Sequence, residues 1–123
     1  VSRGKVYPDD LGNYWFYPAW PLTTQRTKVP KENVVKYNWR GHDYWEAYTE
    51  AQIKAVCELV VHLVEKYSIT ITKANFKNFF LYNEKVLVNH IPGIWGHTTV
   101  RKDKVDIVPF PEFIKALEKT LFP

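Results

Sequence analysis

The chain has 123 residues, 46% of them hydrophobic and 24% charged, a balance that suits one compact domain with no need for a second. Its single cysteine, Cys57, rules out an intrachain disulfide, and no apolar stretch approaches the roughly 20 residues of a membrane span. A net charge of +4 favours anionic partners such as nucleic acid, a membrane surface or an anionic cell wall, without choosing between them. No signal-peptide pattern opens the sequence, so localisation is not legible and export would need another segment or route.

Residues 1–13 carry turn chemistry in Pro8, Asp9, Asp10 and Gly12. Tyr14, Trp15, Phe16 and Tyr17 predict a strand that Pro18 ends or marks as an edge, and the same aromatic run is also suited to a ligand platform. Residues 21–30 are polar and irregular. Val34, Val35, Tyr37 and Trp39 alternate as a second strand, residues 40–43 read as a turn, and Tyr44 and Trp45 lead into the clearest helix.

That helix is expected over residues 50–67. Thr49 and Gln52 have capping-box spacing, Tyr48 and Ile53 occupy the staple positions, and Ile53, Val56, Cys57, Val60, Leu63, Val64 and Tyr67 form one apolar stripe. Residues 68–72 are β-prone but short. Residues 75–82 predict a helical turn or a loop packing Phe76, Phe79 and Phe80. Residues 85–91 enter a strand broken at Pro92 and Gly93, and residues 94–97 predict a short strand ending at His97. Pro111 suits the first turn of a last helix whose stripe is Phe113, Ile114, Leu117 and Leu121.

The chemistry concentrates between Gly93 and Pro111. His97, Lys104 and Asp106 fall within ten residues, and imidazole nitrogen and carboxylate oxygen are zinc ligands. If residues 98–105 fold back, both side chains can meet one ion at about 2.0–2.2 Å. A hydrogen-bonded structural histidine is the plainer reading of His97. Lys104 is either a solvated loop charge, like its neighbours Arg101, Lys102 and Asp103, or a cation aimed at a developing oxyanion. His42 lies in the expected turn, His62 on the polar helix face, and His90 near the Pro92–Gly93 break. Cys57 belongs to the apolar stripe and reads as a small core residue. A catalytic zinc site normally takes three protein ligands, and neither a His-Glu-x-x-His nor a Cys-x-x-Cys motif adds to the two here. Glycine-rich phosphate loops and Gly-x-Ser-x-Gly elbows are absent too, and the basic residues form no evident stripe for nucleic acid.

The run Pro-Gly-Ile-Trp-Gly-His-Thr-Thr-Val-Arg-Lys-Asp-Lys-Val-Asp, residues 92–106, resembles the C-terminal signature of the zinc-dependent N-acetylmuramoyl-L-alanine amidases of the type-2 amidase fold. That family includes phage lysozyme-like amidases and peptidoglycan recognition proteins. Residues 44–53 resemble its lead-in to the long helix, residues 16–19 and 29–35 its mid-domain hairpin, and residues 111–114 the start of its last helix. The resemblance implies an α/β fold, a mixed β-sheet flanked by helices. It implies His97 and Asp106 as the second and third zinc ligands, Lys104 as the helper lysine, and Arg101 as a contact to the peptide stem. The implied reaction is hydrolysis of the amide between N-acetylmuramic acid and L-alanine in peptidoglycan, as in a phage endolysin or another bacteriolytic enzyme.

The family's first ligand histidine and its catalytic tyrosine lie on strands that precede the aromatic hairpin, which this chain reaches by residue 14. Residues 1–13 hold Tyr7 but no histidine. The resemblance therefore implies that residues 1–123 are a single domain or the C-terminal portion of an amidase domain, lacking its first strands. A second polypeptide would then supply the missing ligand and cover the exposed sheet edge. The other accounts are a non-catalytic peptidoglycan-binding or structural phage or bacterial protein on a degenerate amidase fold, and a replacement ligand in His42 or His90.

Overall fold

The computed structural model describes residues 3–123, so the turn-rich opening is seen from Arg3 onward and Val1 and Ser2 lie outside the described residues. The chain is a mixed α and β structure with two antiparallel sheets and five helices, and it divides into two compact units, residues 1–49 and 50–123. All its described strands belong to the first unit. In place of one mixed sheet they form two antiparallel ones, because every strand connection is a short turn or loop rather than a crossover.

In the first unit β1 (Tyr7–Pro8), β2 (Tyr14–Phe16) and β3 (Thr27–Val29) pair in that order, with Tyr7 opposite Trp15 and Trp15 opposite Lys28. Asp9 organises the β1–β2 turn. Its carboxylate accepts from the backbone N–H groups of Leu11 and Asn13, both at 2.9 Å, and from the Trp15 indole at 2.8 Å. These donors, the indole foremost, hold the Asp9 carboxyl below its ordinary pKa. A short 3₁₀ turn, Lys31–Asn33, then leads into β4 (Val34–Trp39), the second strand expected from the sequence.

β5 (His42–Glu46) corrects the expectation of a turn followed by a helix lead-in. Only Arg40 and Gly41 turn, with φ of 49° and 82°, the doubly positive pattern of a two-residue hairpin loop. Trp39 then faces His42, and Val35 faces Trp45. The segment before β1 runs along the hairpin. Glu46 N–H donates to Gly4 O at 2.9 Å and Val6 N–H to Tyr44 O at 3.1 Å. Val6, Val29 and Trp45 are the buried apolar residues of this unit, and the Trp45 indole donates to Tyr37 O at 2.7 Å.

Glu46 is a buried acid held by a bidentate Arg3 guanidinium, Nε to Oε2 at 2.8 Å and Nη2 to Oε1 at 3.1 Å. The Arg3 hydrogen bonds push the Glu46 carboxyl below its usual range, and burial opposes them. A carboxyl with a depressed folded pKa stabilises above its unfolded pKa of about 4.3, and that contribution fades as pH falls through the folded value. The Arg3 side chain is 34% exposed, so solvent screening reduces the expected cost of Arg3→Ala to about 1–2 kcal/mol. Urea midpoints of the full chain should differ by that amount at pH 7 and converge toward pH 3.

The second unit is built on α1 (Glu50–Tyr67), which spans the residues its apolar stripe predicts. Cys57 and Val60 are buried, whereas Tyr67 at the stripe's end is exposed. The helix closes with Ser68 at φ 50°, Ser68 N–H donating to Glu65 O and Ile69 N–H to Val64 O. That is a Schellman motif with serine in the position glycine usually takes. Residues 68–72 therefore make no strand; they leave the helix and reach Thr72, whose hydroxyl caps α2 (Lys73–Phe76) at Asn75 N.

Residues 85–91 are not a strand either. α3 (Lys85–Val88) starts where Asn83 Oδ1 accepts from Lys85 N–H, and only Val86 of its apolar residues is buried. Residues 94–96 form no strand, although Gly96 is extended, and His97 opens a helix, α4 (His97–Val100), rather than ending a strand. α5 (Pro111–Leu121) has Pro111 in its first turn, as predicted, and packs against α1 with Phe113 and Leu117 buried. Edge-to-face rings run through this unit: Trp95 on Phe79 at 4.9 Å, Phe79 on Phe76 at 5.6 Å, Phe76 on Phe122 at 6.0 Å and Phe80 on Phe113 at 6.2 Å.

Candidate functional site

The His97 loop is pinned at both ends by backbone chemistry. Gly93 enters at φ 156° against the Trp95 and Phe79 rings, where an added Cβ would meet Trp95 at 2.9 Å, so only glycine fits without a shift. Gly96 then caps α4. Its N–H donates to the Thr99 hydroxyl at 3.1 Å, and its carbonyl accepts from Thr99 N–H at 3.0 Å. Thr99, fully buried, donates the same hydroxyl to Phe79 O at 2.6 Å, and its own carbonyl accepts from Asn83 N–H at 2.7 Å. Thr99 thus ties α4 to the aromatic core and to the turn before α3. It is a positioning residue that the sequence reading passed over. Its signal was a threonine three residues after a glycine, the spacing of a helix start.

From this anchored helix residues 101–105 turn back. His97 Nδ1 and Asp106 Oδ2 come within 3.2 Å, and their side chains are 44% and 66% exposed. Two ligands of one tetrahedral zinc ion at about 2.0–2.2 Å stand about 3.3–3.6 Å apart, so this pair is spaced close to one edge of such a site. The same distance suits a direct hydrogen bond in which the carboxylate fixes the imidazole's tautomer and ring orientation.

Lys104, half-buried, lies on the returning loop and helps lower the Asp103 carboxyl. The main cause there is Arg101, whose guanidinium donates to both Asp103 oxygens, at 2.8 and 2.6 Å; together they push Asp103 down to about 2. Arg101 is thus engaged within its own loop, as a brace two residues long. A small apolar recess of about 80 Å³ lies among α1, α5 and the chain flanking the pair in sequence, with neither His97 nor Asp106 in its lining. Ile94, Trp95 and Gly96 line it on the side entering His97, and Ile107 lines it just past Asp106.

The other histidines stand elsewhere. His42 opens β5 edge-on to Trp45, with centroids 5.9 Å apart, and burial is the first cause that lowers its pKa. His62 is exposed on α1, facing a groove toward α5. His90 is exposed at φ 50° in the turn after α3. Cys57 is buried in the α1 stripe. Among the described residues no three of His, Cys, Asp and Glu gather closely enough to hold a metal ion. Nor is any helix of the described residues long and apolar enough to cross a membrane. Searches against protein-family models, curated proteins and solved structures return no match for this chain.

Proposed function

We propose that the chain carries two corners of a zinc site, His97 and Asp106, and is the C-terminal part of a peptidoglycan amidase of the type-2 amidase fold. The single observation behind this reading is the 3.2 Å approach of His97 Nδ1 to Asp106 Oδ2 on a loop held by Thr99 and Gly96. The two residues fit two of the three protein positions of a catalytic zinc site, and a group outside residues 3–123, on a second polypeptide or another segment, would supply the third. Zinc bound there would polarise an amide carbonyl and lower the pKa of a coordinated water. This chain's own part is to hold the imidazole and carboxylate converged and to place the Lys104 ammonium on the same loop as a cation favouring negative charge on the substrate.

The test is release of muropeptides from peptidoglycan by the chain combined with a histidine-bearing N-terminal amidase segment, with zinc present. Activity should appear on reconstitution, and His97→Ala should lower it by on the order of a hundredfold or more, since even outer-shell changes cost 10–100-fold. An inactive pair that binds no zinc sinks the catalytic reading.

A second reading, a non-catalytic module that binds peptidoglycan or serves in a phage or bacterial assembly, is favoured by the lack of a third ligand among the described residues and by the direct His97–Asp106 contact. It expects saturable binding that His97→Ala leaves intact.

A further inference from the structure

The N-terminal unit holds a second candidate site, made wholly of its own residues and independent of the His97 pair. Tyr7, Tyr17, Trp20, Thr24 and Arg26 line an open groove of about 540 Å³, within the range of about 300–1,000 Å³ usual for small-molecule sites. The aromatic rings are arranged rather than scattered. Tyr7 meets Tyr17 edge-on at 5.7 Å, and Tyr17 meets Trp20 edge-on at 5.9 Å, so successive rings present faces at steep angles around the groove. Tyr7 and Trp20 are 42% and 65% exposed, although water disfavours bare aromatic surface of this kind on a folded chain.

Arg26 supplies the polar end. Its guanidinium carbon lies 3.7 Å from the Trp15 ring centroid, a stacked position that fixes the planar fork without using its N–H edge. No carboxylate among the described residues forms an ion pair with it. A groove with angled aromatic faces, three hydroxyls (Tyr7, Tyr17 and Thr24) and one bidentate cation matches a particular ligand chemistry. The C–H face of a pyranose ring is apolar and slightly positive and packs on the negative face of an aromatic ring, and a ring carboxylate suits the guanidinium fork. We infer that this groove binds a pyranose saccharide bearing a carboxylate. A nucleic-acid strand fits less well, because its phosphates need a basic track and Arg26 is the single charged residue lining the groove.

The experiment titrates the full chain with a hyaluronan tetrasaccharide, following by NMR the backbone amides around the groove and, in chains that keep Trp20, its indole N–H, with neutral chitotetraose and an oligothymidylate in parallel. Saturable binding of the hyaluronan fragment is expected, weakened about tenfold by Trp20→Ala, a shift equivalent to about 1.4 kcal/mol. Arg26→Gln should bring the acidic saccharide to the affinity of the neutral one. Retained backbone spectra in both variants exclude misfolding as the cause. The inference is overturned if the saccharide produces no saturable shift, if the oligothymidylate binds more tightly, or if neither substitution weakens binding.

Discussion

Thr99→Val is expected to destabilise the C-terminal unit by about 2–4 kcal/mol and to loosen His97 with it. Valine fills nearly the same volume, so little packing is lost. The loss is polar. The Thr99 hydroxyl accepts from Gly96 N–H in a part-buried bond and donates to Phe79 O in a buried one, around a residue with no solvent exposure. Without it a buried acceptor, Phe79 O, stands unsatisfied at about 1–3 kcal/mol, and a half-buried donor, Gly96 N–H, adds a smaller cost. Thr99→Ser keeps the hydroxyl and gives up one methyl, so it should cost only about 1 kcal/mol. Denaturant midpoints of the full chain measure both. The valine variant should also broaden the His97 imidazole signals, because the start of α4 is what holds that ring.

Phe79→Ala should cost about 3–5 kcal/mol, the largest loss expected of any single change in this unit. Phe79 is 2% exposed and stands at the junction of the ring network, edge-on to Phe76 at 5.6 Å and to Trp95 at 4.9 Å. Each such ring pair adds about 0.5–1.5 kcal/mol to area burial. Its truncation opens a cavity beneath Trp95 and Gly93, on the chain that enters His97. Phe79→Leu refills most of that space and should cost about 1–2 kcal/mol. Phe79→Ala keeps the backbone carbonyl that accepts from the Thr99 hydroxyl, so any shortfall of the double variant from the summed single effects reads the coupling through local packing.

The elements that the sequence predicted correctly carry strong local signals: the periodic α1 stripe, the alternation of β4, the aromatic run of β2 and the proline that opens α5. Ile53, Val56, Cys57, Val60, Leu63 and Val64 repeat the α1 stripe over about three turns, and Pro111 sets the start of α5 by its fixed φ. The missed elements are decided by single hydrogen bonds. β5 was obscured because His42 and Asp43 read as turn residues, while the turn is made by Arg40 and Gly41 alone. Val86, Leu87 and Val88 have strand propensity, yet no partner strand lies in that unit and the Asn83 cap starts a helical turn instead. His97 was expected at a strand end, and the Gly96–Thr99 bonds make it the first residue of a helix. The convergence of His97 with Asp106 was legible only as a requirement on the loop. The residues that meet it, Thr99 and the Arg101–Asp103 brace, carry no motif of their own.

The central claim, that His97 and Asp106 are two ligands of one metal site, is tested most directly by zinc titration of the full chain while the ring nitrogens of all four histidines are followed by NMR. The account predicts a saturable shift at His97 Nδ1 that Asp106→Ala abolishes, with His42, His62 and His90 unmoved. A His97 ring that does not respond to zinc, or responds equally without the Asp106 carboxylate, would contradict it.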